Sequence, residues 1–420
     1  MLRYDLAESE MVIYIGTHKL VGILASMTVE PKLLAHSVRF YPEGFNNGLV
    51  ANLERAMYSI ESLIQTLLSQ VNSGVSKWHP GISVYVVLGN AKLKTFSFAS
   101  SLCFQGFQKT IAPSDVSSVI DQTKSVATLP LSEHVLQTLP ISFIVNDLED
   151  IRDPLGLEAQ RIGVRLKIFT MSFHDFKNIS KVFETAEIEV QGYYPKTLTA
   201  SSAILNKQER DEGGILIDIS HHATFIILWK KNEIINTKVL EIGDRYLIDQ
   251  IGKEWEIDYQ DADRVKDRFG SLEMNLTFGD ELIPLLMRDG KESLQVHRQT
   301  FHQKFLEHAK CWLEMILREA GQFASEERLY HPRYVFTGSG SSMDGFLEFL
   351  QKQFMLEGRI GHARRIEAAQ DVLVNPALAG ALGMLSWIAY EETERNNLYQ
   401  PRGFFRKTLA NARDWFSTYF

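Results

Sequence analysis

The stretch GILIDISHHATFIILW, residues 214–229, contains two short apolar runs separated by a polar turn. Apolar runs of this length joined by a tight turn predict a β-hairpin. Such a turn can present backbone N–H groups to phosphate oxygens if nothing bulky blocks their approach. His221 and His222 stand in the turn, where glycines would be expected. The pattern therefore predicts a turn of the phosphate-binding type that is crowded by two imidazoles.

A second hairpin is predicted near the start of the chain, in MVIYIGTHKLVGILAS, residues 11–26. Its turn lies at Gly16 and Thr17, between two apolar runs. Apolar residues at helical spacing follow each hairpin. This weak internal duplication predicts an α/β fold with two lobes and a cleft between them.

The composition limits the classes of protein to which the chain can belong. Its 420 residues are too many for one small core. The 44 basic and 52 acidic residues disfavour a nucleic-acid partner, which would require a basic field. Cys103 and Cys311 belong to no motif, which fits a reducing compartment. The longest apolar run, 376–390, is too short to span a bilayer comfortably, and no secretion signal is visible. We expect a cytosolic protein.

A family resemblance is carried by LPISFIVNDLEDIRDPLGLEAQRIGVRLKIFT, residues 139–170. Within it, IRDPLG at 151–156 and VRL at 164–166 resemble the inserted SHS2 subdomain of the bacterial cell-division protein family FtsA, which actin and the Hsp70 chaperones lack. The resemblance implies an actin-like two-lobe fold with duplicated ribonuclease H-like cores and an inserted α+β subdomain. The pilus-assembly family PilM shares the insert and is the nearest competitor.

The resemblance also implies a division of the chain into subdomains. The expected ranges are 1–80, 173–200 and 360–395 for the core of lobe 1 (1A), 81–172 for the SHS2 insert (1C), 201–235 and 301–359 for the core of lobe 2 (2A), 236–300 for subdomain 2B, and 402–420 for a C-terminal helix.

An ATP site between two such lobes requires small-residue turns for the phosphates and acidic side chains that organise the metal. The first turn keeps the family's Gly16, Thr17 and Lys19. However, Tyr14 stands where the family has an aspartate, and His18 stands where it has a serine. The acid that would organise the metal is therefore absent at position 14, and we expect ATPase activity to be weak or absent.

The second turn, DISHHATF, keeps Asp218 and Thr224 of the family's pattern. The glycines of the pattern are replaced by Ser220, His221 and His222, and its last aspartate by Phe225. Adjacent residues of a strand point to opposite faces, so the two histidines are not expected to bind one metal ion. A filled turn is the preferred interpretation.

Other parts of the nucleotide site are better preserved. The resemblance assigns Gly243, Lys266 and the adenosine-side loop at Gly338, Gly340 and Gly345 to nucleotide binding. Gly338 and Gly340 are equally typical of a strand–helix turn without a ligand. We expect a degenerate site with no catalytic residue and no bound metal, and weak binding of ATP with Mg²⁺ is the open alternative.

The last 19 residues, RGFFRKTLANARDWFSTYF, place apolar residues on one predicted helix stripe and carry a net charge of +3, from four basic residues and one acidic residue. Such a helix can lie in a membrane interface, or it can dock on the protein's own core or on a partner. The resemblance favours the membrane, because FtsA proteins end in such a helix. The residues expected to bind the membrane are Phe405, Arg406, Lys407, Leu409, Trp415, Phe416 and Phe420.

The resemblance implies a function in cell division. We expect the chain to tether the FtsZ ring to the cytoplasmic face of the inner membrane and to polymerise like actin through the insert. The C-terminal peptide of FtsZ is expected to bind region 236–300, and other division proteins are further expected partners. The alternatives are a PilM-like pilus-assembly scaffold and a nucleotide-binding actin-like ATPase.

Overall fold

The computed structural model describes residues 9–27, 30–71, 82–106, 108–286 and 293–397. The elements that precede the insert are β1 (Ser9–Gly16), β2 (Lys19–Ser26), β3 (Lys32–Phe40), β4 (Phe45–Asn46), β5 (Leu49–Val50), α1 (Leu53–Val71) and β6 (Ser83–Gly89). The insert contains β7 (Lys94–Cys103), β8 (Lys109–Thr110), α2 (Pro113–Val126), β9 (Glu133–Val145), β10 (Leu148–Ile151), β11 (Glu158–Ala159) and β12 (Arg161–Ser172).

The chain then returns to the first lobe and crosses to the second. The connecting elements are α3 (Phe173–Thr185), β13 (Val190–Pro195), α4 (Lys196–Ile204) and α5 (Lys207–Glu212). The second lobe contains β14 (Gly214–Ile219), β15 (Thr224–Lys230), β16 (Glu233–Leu240), α6 (Arg245–Glu254), α7 (Tyr259–Phe269), β17 (Leu282–Leu286), β18 (Ser293–His297), α8 (Arg298–Glu326), β19 (Arg333–Thr337), α9 (Phe346–Phe354) and β20 (Gly358–Ile360). The described part ends with α10 (Gln370–Leu373) and α11 (Ala379–Asn397).

The two lobes are built on sheets of the same design. The first sheet has the order β3-β2-β1-β6-β13, and the second has the order β16-β15-β14-β19-β20. In each sheet the first three strands are antiparallel, and the last two are parallel to the third. This correspondence explains the weak internal duplication in the sequence, and it confirms the predicted actin-like α/β class.

The insert is a separate α+β layer. Its strands form a four-stranded antiparallel sheet of order β10-β9-β12-β7. Helix α2 lies against this sheet and buries Val116, Val119 and Ile120, which share one face because they are three and four residues apart. Asp115 accepts a hydrogen bond from the backbone N–H of Ala112 at 2.9 Å and so caps the start of the helix.

Three predicted boundaries differ from the structure. The insert was expected to begin at residue 81, but β6 lies inside the first sheet, parallel to β1 and β13. The run SVYVVLG is buried almost throughout, as is typical of an inner parallel strand. Subdomain 2B was expected from residue 236, which falls within β16, and β20 keeps Ile360 in the second sheet.

Helices α4 and α11 connect the lobes. Helix α4 packs against α11 and also contacts β6 of the first sheet and β15 of the second. The two helices approach closely at Gly383, where an added Cβ would lie 2.2 Å from the carbonyl oxygen of Thr199. No helix among the described residues is long and apolar enough to cross a bilayer.

Candidate functional site

The two predicted phosphate-type turns face each other across the interlobe cleft. The backbone N–H of His222 donates to Thr17 Oγ1 at 3.4 Å, which joins the second turn to the first. The imidazoles of His18 and His221 lie with their ring centroids 4.4 Å apart. The predicted juxtaposition of the turns is therefore present, and side chains of the protein lie between them.

Tyr14 fills the space beside the first turn. The residue is 1% exposed, and burial raises the pKa of its phenol, so the hydroxyl stays protonated. An added Cβ at Gly16 would lie 2.7 Å from Tyr14 Oη, and one at Gly89 would lie 2.6 Å from the Tyr14 ring. Both glycines therefore leave room for the tyrosine ring of the protein itself.

Lys196, the first residue of α4, reaches into the second turn. Its Nζ lies 2.7 Å from Asp218 Oδ1 and 2.7 Å from Ser220 Oγ, and the side chains of Lys196 and Asp218 are each 1% exposed. Burial alone would lower the pKa of Lys196, but the Asp218 carboxylate and Tyr14 raise it above its ordinary value. The side chain is therefore a buried ammonium, which also lies 5.4 Å from the centroid of the Tyr14 ring.

The imidazole of His221 is held by two groups of the second lobe. Its Nδ1 lies 2.6 Å from Asp244 Oδ1, and its Nε2 lies 2.9 Å from Tyr259 Oη. His222 is held separately, because its Nε2 lies 2.7 Å from Arg245 Nη1. Asp244 therefore serves as the partner of His221.

Comparison with known proteins identifies the family. The family model described as "SHS2 domain inserted in FTSA" matches residues 96–170, and the one described as "Cell division protein FtsA" matches residues 215–383. The chain is an FtsA-type actin-like protein. It is 22% identical to the cell division protein FtsA of Pseudomonas aeruginosa over 374 residues, which cover 89% of this chain and 87% of that protein. It is also 22% identical to the cell division protein FtsA of Escherichia coli K12 over 381 residues, which cover 89% of this chain and 88% of that protein.

Solved structures show the same fold. The PilM-PilN type IV pilus biogenesis complex matches with a TM-score of 0.61 and 14% identity, covering 92% of this chain and 99% of that chain. MreB5 of Spiroplasma citri bound to AMPPNP matches with a TM-score of 0.52 and 12% identity, covering 93% of this chain and 98% of that chain. At these identities the likeness supports the actin-like fold of this FtsA-type chain and nothing finer.

Burial and neighbouring charges favour the neutral form of His18 and His222. Burial, followed by His221 and Lys19, lowers the pKa of His18 to about 2. Burial and His221 likewise lower the pKa of His222 to about 4. Burial would raise the pKa of Asp244, but its bond with His221 and the charge of Lys266 bring it to about 2. His18 and His222 therefore carry no charge near neutral pH, so their rings pack beside His221 without adding positive charge there.

The remaining residues predicted to bind nucleotide have structural contacts in this FtsA-type chain. Thr224 Oγ1 donates to the carbonyl oxygen of Ile242 at 2.7 Å, and Lys266 Nζ lies 2.9 Å from Asp267 Oδ1. Gly340 packs on Ile219, which an added Cβ would approach to 2.5 Å.

Three further residues of the predicted site, two glycines and one lysine, are closely packed. Gly243 fits against the second turn, since an added Cβ would lie 2.1 Å from the carbonyl oxygen of Ser220. Gly345 has a φ of +79° and precedes α9. Lys19 is 3% exposed, and burial and Lys196 lower its pKa to about 7.

Gly338 belongs to the predicted adenosine-side loop and packs against the second turn. It has a φ of +85°, and an added Cβ would lie 2.5 Å from Asp218 Oδ1 and 2.4 Å from the carbonyl oxygen of Ile219. Only glycine satisfies both requirements without displacing the strand. The glycines of this loop therefore have a packing reason that requires no ligand.

A magnesium–triphosphate group does not fit these residues. The Tyr14 ring fills the space beside the first turn, and the carboxylate of Asp218 already holds the Lys196 ammonium. A divalent cation there would meet a buried positive charge at close range. Within the described ranges, no group of three or more His, Cys, Asp or Glu side chains is arranged to hold a metal ion.

Lys196 was not among the residues predicted for the site. A signal was available in the sequence, because this lysine begins the helix KTLTASSAI, which is rich in small residues. The tail residues predicted to bind the membrane lie outside the described residues.

Proposed function

We propose that this chain is a scaffold of bacterial cell division that attaches the FtsZ ring to the cytoplasmic face of the inner membrane and forms an actin-like polymer. The observation that carries the proposal is the combined match of the SHS2 insert and the FtsA core within one actin-like body. The FtsA relatives are matched over most of their own length, which supports transfer of the family's role to the whole chain.

Membrane attachment is assigned to residues 402–420. The predicted stripe could bury several aromatic side chains at about 1.5–3 kcal/mol each when they are fully desolvated. Each basic residue near an anionic lipid adds about 1 kcal/mol. The combination supports reversible, peripheral binding of a helix that lies in the interface.

Vesicle sedimentation tests this attachment. Phe416 lies on the predicted stripe, and Asn411 lies on the opposite side of the same helix by the spacing of 3.6 residues per turn. We expect Phe416→Glu to abolish pelleting of the full chain with anionic vesicles, and Asn411→Glu, which adds the same charge, to leave most of it. Equal pelleting of both variants and of a chain that lacks 402–420 would refute membrane attachment by this segment.

The partner is proposed to be the C-terminal peptide of FtsZ, bound by the region 236–300. This region contains α6 and α7, which pack on each other beside the second sheet. Fluorescence titration of the full chain with the labelled FtsZ peptide is expected to show saturable binding. Saturation by a PilN peptide, with no response to the FtsZ peptide, would favour a pilus-assembly scaffold instead.

The interlobe cleft is proposed to have lost nucleotide binding and hydrolysis. The Tyr14 ring and the Lys196–Asp218 pair support this proposal, because together they take the space and the carboxylate that phosphate and metal would use. Phosphate release measured with the full chain and Mg²⁺–ATP is expected to stay at the background rate. Magnesium-dependent turnover that is lost in an Asp218→Asn variant would overturn it.

A further inference from the structure

Lys196 is placed where it contacts both lobes at once. Its backbone begins α4, which packs between the two sheets and against α11. Its ammonium binds Asp218 of β14 and Ser220 of the second turn, both in the second lobe. It also lies over the ring of Tyr14, which belongs to β1 of the first lobe. One charged group therefore connects the central strands of both sheets.

The surroundings of Lys196 are shaped to its side chain. An added Cβ at Gly380 of α11 would lie 2.7 Å from Lys196 Cγ. On the other side the ammonium lies 5.4 Å from the ring centroid of Phe225, which replaces the family's aspartate. A glycine at the stem and aromatic faces around the head give a buried cation favourable contacts in place of water.

The charge of Lys196 is matched by one carboxylate. Asp218 binds the ammonium through Oδ1, while its Oδ2 has no hydrogen-bond partner among the described residues. A carboxylate that is 1% exposed is costly to bury without a cation. The pair therefore stabilises the arrangement in which α4, β14 and β1 are in contact, which is the arrangement of the lobes in this structure.

We propose that Lys196 is a built-in counter-ion that holds the two lobes in the arrangement of this structure without nucleotide. The inference rests on the proposed loss of nucleotide binding. It adds that this arrangement of the lobes is constitutive and that the division scaffold is formed in a state that neither ATP nor a metal ion controls.

Distance measurement between spin labels tests this inference on the full chain. One label replaces Tyr58, an exposed residue of α1, as Tyr58→Cys, and the other uses the exposed native Cys311 of α8, with Cys103→Ser removing the second native thiol. We expect one narrow distance distribution by double electron–electron resonance, identical with and without Mg²⁺–ATP.

The variant Lys196→Met/Asp218→Asn removes both charges and leaves no unpaired ion in the core. We expect its distance distribution to broaden severalfold while circular dichroism shows the secondary structure retained. Ser220→Ala, which removes the hydrogen bond from Lys196 to Ser220 but keeps the ion pair with Asp218, is expected to broaden the distribution less. The surface pair Lys352 and Glu348 supplies the matched control, Lys352→Met/Glu348→Gln, which is expected to change nothing.

The outcomes separate this inference from the proposed loss of nucleotide binding. A narrow, unshifted distance in both cleft variants would overturn the counter-ion role, even if ATP does not bind. Saturable Mg²⁺–ATP binding to the unmodified chain, measured by calorimetry, would instead overturn the proposed loss of nucleotide binding, on which this inference depends.

Discussion

Replacing Lys196 by methionine should open the centre of the molecule. Lys196→Met keeps most of the apolar stem but deletes the ammonium and both of its 2.7 Å hydrogen bonds. The Asp218 carboxylate, 1% exposed and with Oδ2 already lacking a hydrogen-bond partner among the described residues, would then be a buried charge without its hydrogen-bonded cation. Removing one partner of a buried ion pair costs about 3–5 kcal/mol.

Hydrogen exchange is the suitable assay for this variant, because it reports the opening of β14 separately from the rest of a chain with two lobes and an insert. Local opening of a strand is reported by exchange of its own amide groups. A loss of about 3–5 kcal/mol corresponds to exchange of the β14 amides that is faster by between about 10² and 10⁴-fold.

A double variant, in which both Lys196 and Asp218 are replaced, tests whether the ion pair stabilises the core. When both partners of a buried pair are replaced by uncharged groups, the net effect is often close to neutral. Lys196→Met/Asp218→Leu is therefore expected to recover most of the protection of β14 within the second lobe that Lys196→Met loses, although the ionic contact between the lobes stays broken. Unchanged exchange in Lys196→Met, or equal loss in the single and double variants, would show that the pair does not stabilise the core.

Further perturbations of the cleft have defined outcomes. The folded pKa values of His18 and His222, about 2 and about 4, lie below the ordinary value of 6.5, so the unfolded chain takes up protons first as the pH falls. The contribution of both neutral imidazoles to stability is complete above pH 6.5. As the pH falls, the contribution is lost progressively toward pH 4 for His222 and toward pH 2 for His18. Unfolding midpoints measured at several pH values test this dependence. Tyr14→Ala would leave a cavity beside the first turn and is expected to cost about 3–5 kcal/mol, measured as a lower melting temperature. Gly338→Ala combines a positive φ with a clash against β14, whereas Gly156→Ala adds a Cβ at a similar φ in open space, so thermal melting should show the larger loss for Gly338→Ala.

Controls for these perturbations lie on the surface of the same chain. His36→Gln changes an exposed histidine and should leave the pH dependence intact, whereas His18→Gln and His222→Gln should flatten it. Tyr58→Ala removes an exposed ring and should leave the melting temperature nearly unchanged. An equal slope in all three glutamine variants, or equal losses for Tyr58→Ala and Tyr14→Ala, would contradict the assigned roles.

The predictable part of the fold followed from local patterns. The hairpins at 11–26 and 214–229 were predicted correctly because their apolar runs and turn residues lie close together in sequence. The boundary at β6 was misplaced because the run SVYVVLG predicts a buried strand without indicating which sheet contains it.

The contacts within the cleft were harder to predict from the sequence. The bulk of His221 is visible in the sequence, but its partners Asp244 and Tyr259 lie 23 and 38 residues away along the chain. The pairing of Lys196 with Asp218 likewise depends on how α4 crosses between two sheets. Such contacts are set by tertiary packing, which a local pattern does not encode.

Calorimetric titration of the full chain with Mg²⁺–ATP tests most directly whether the protein's own side chains fill the cleft. We predict no saturable heat, with any affinity at a Kd of roughly 1 mM or weaker, and no change on adding EDTA. Magnesium-dependent binding of one nucleotide per chain at a Kd near or below about 1 μM would contradict a cleft occupied by Tyr14, Lys196 and the histidines.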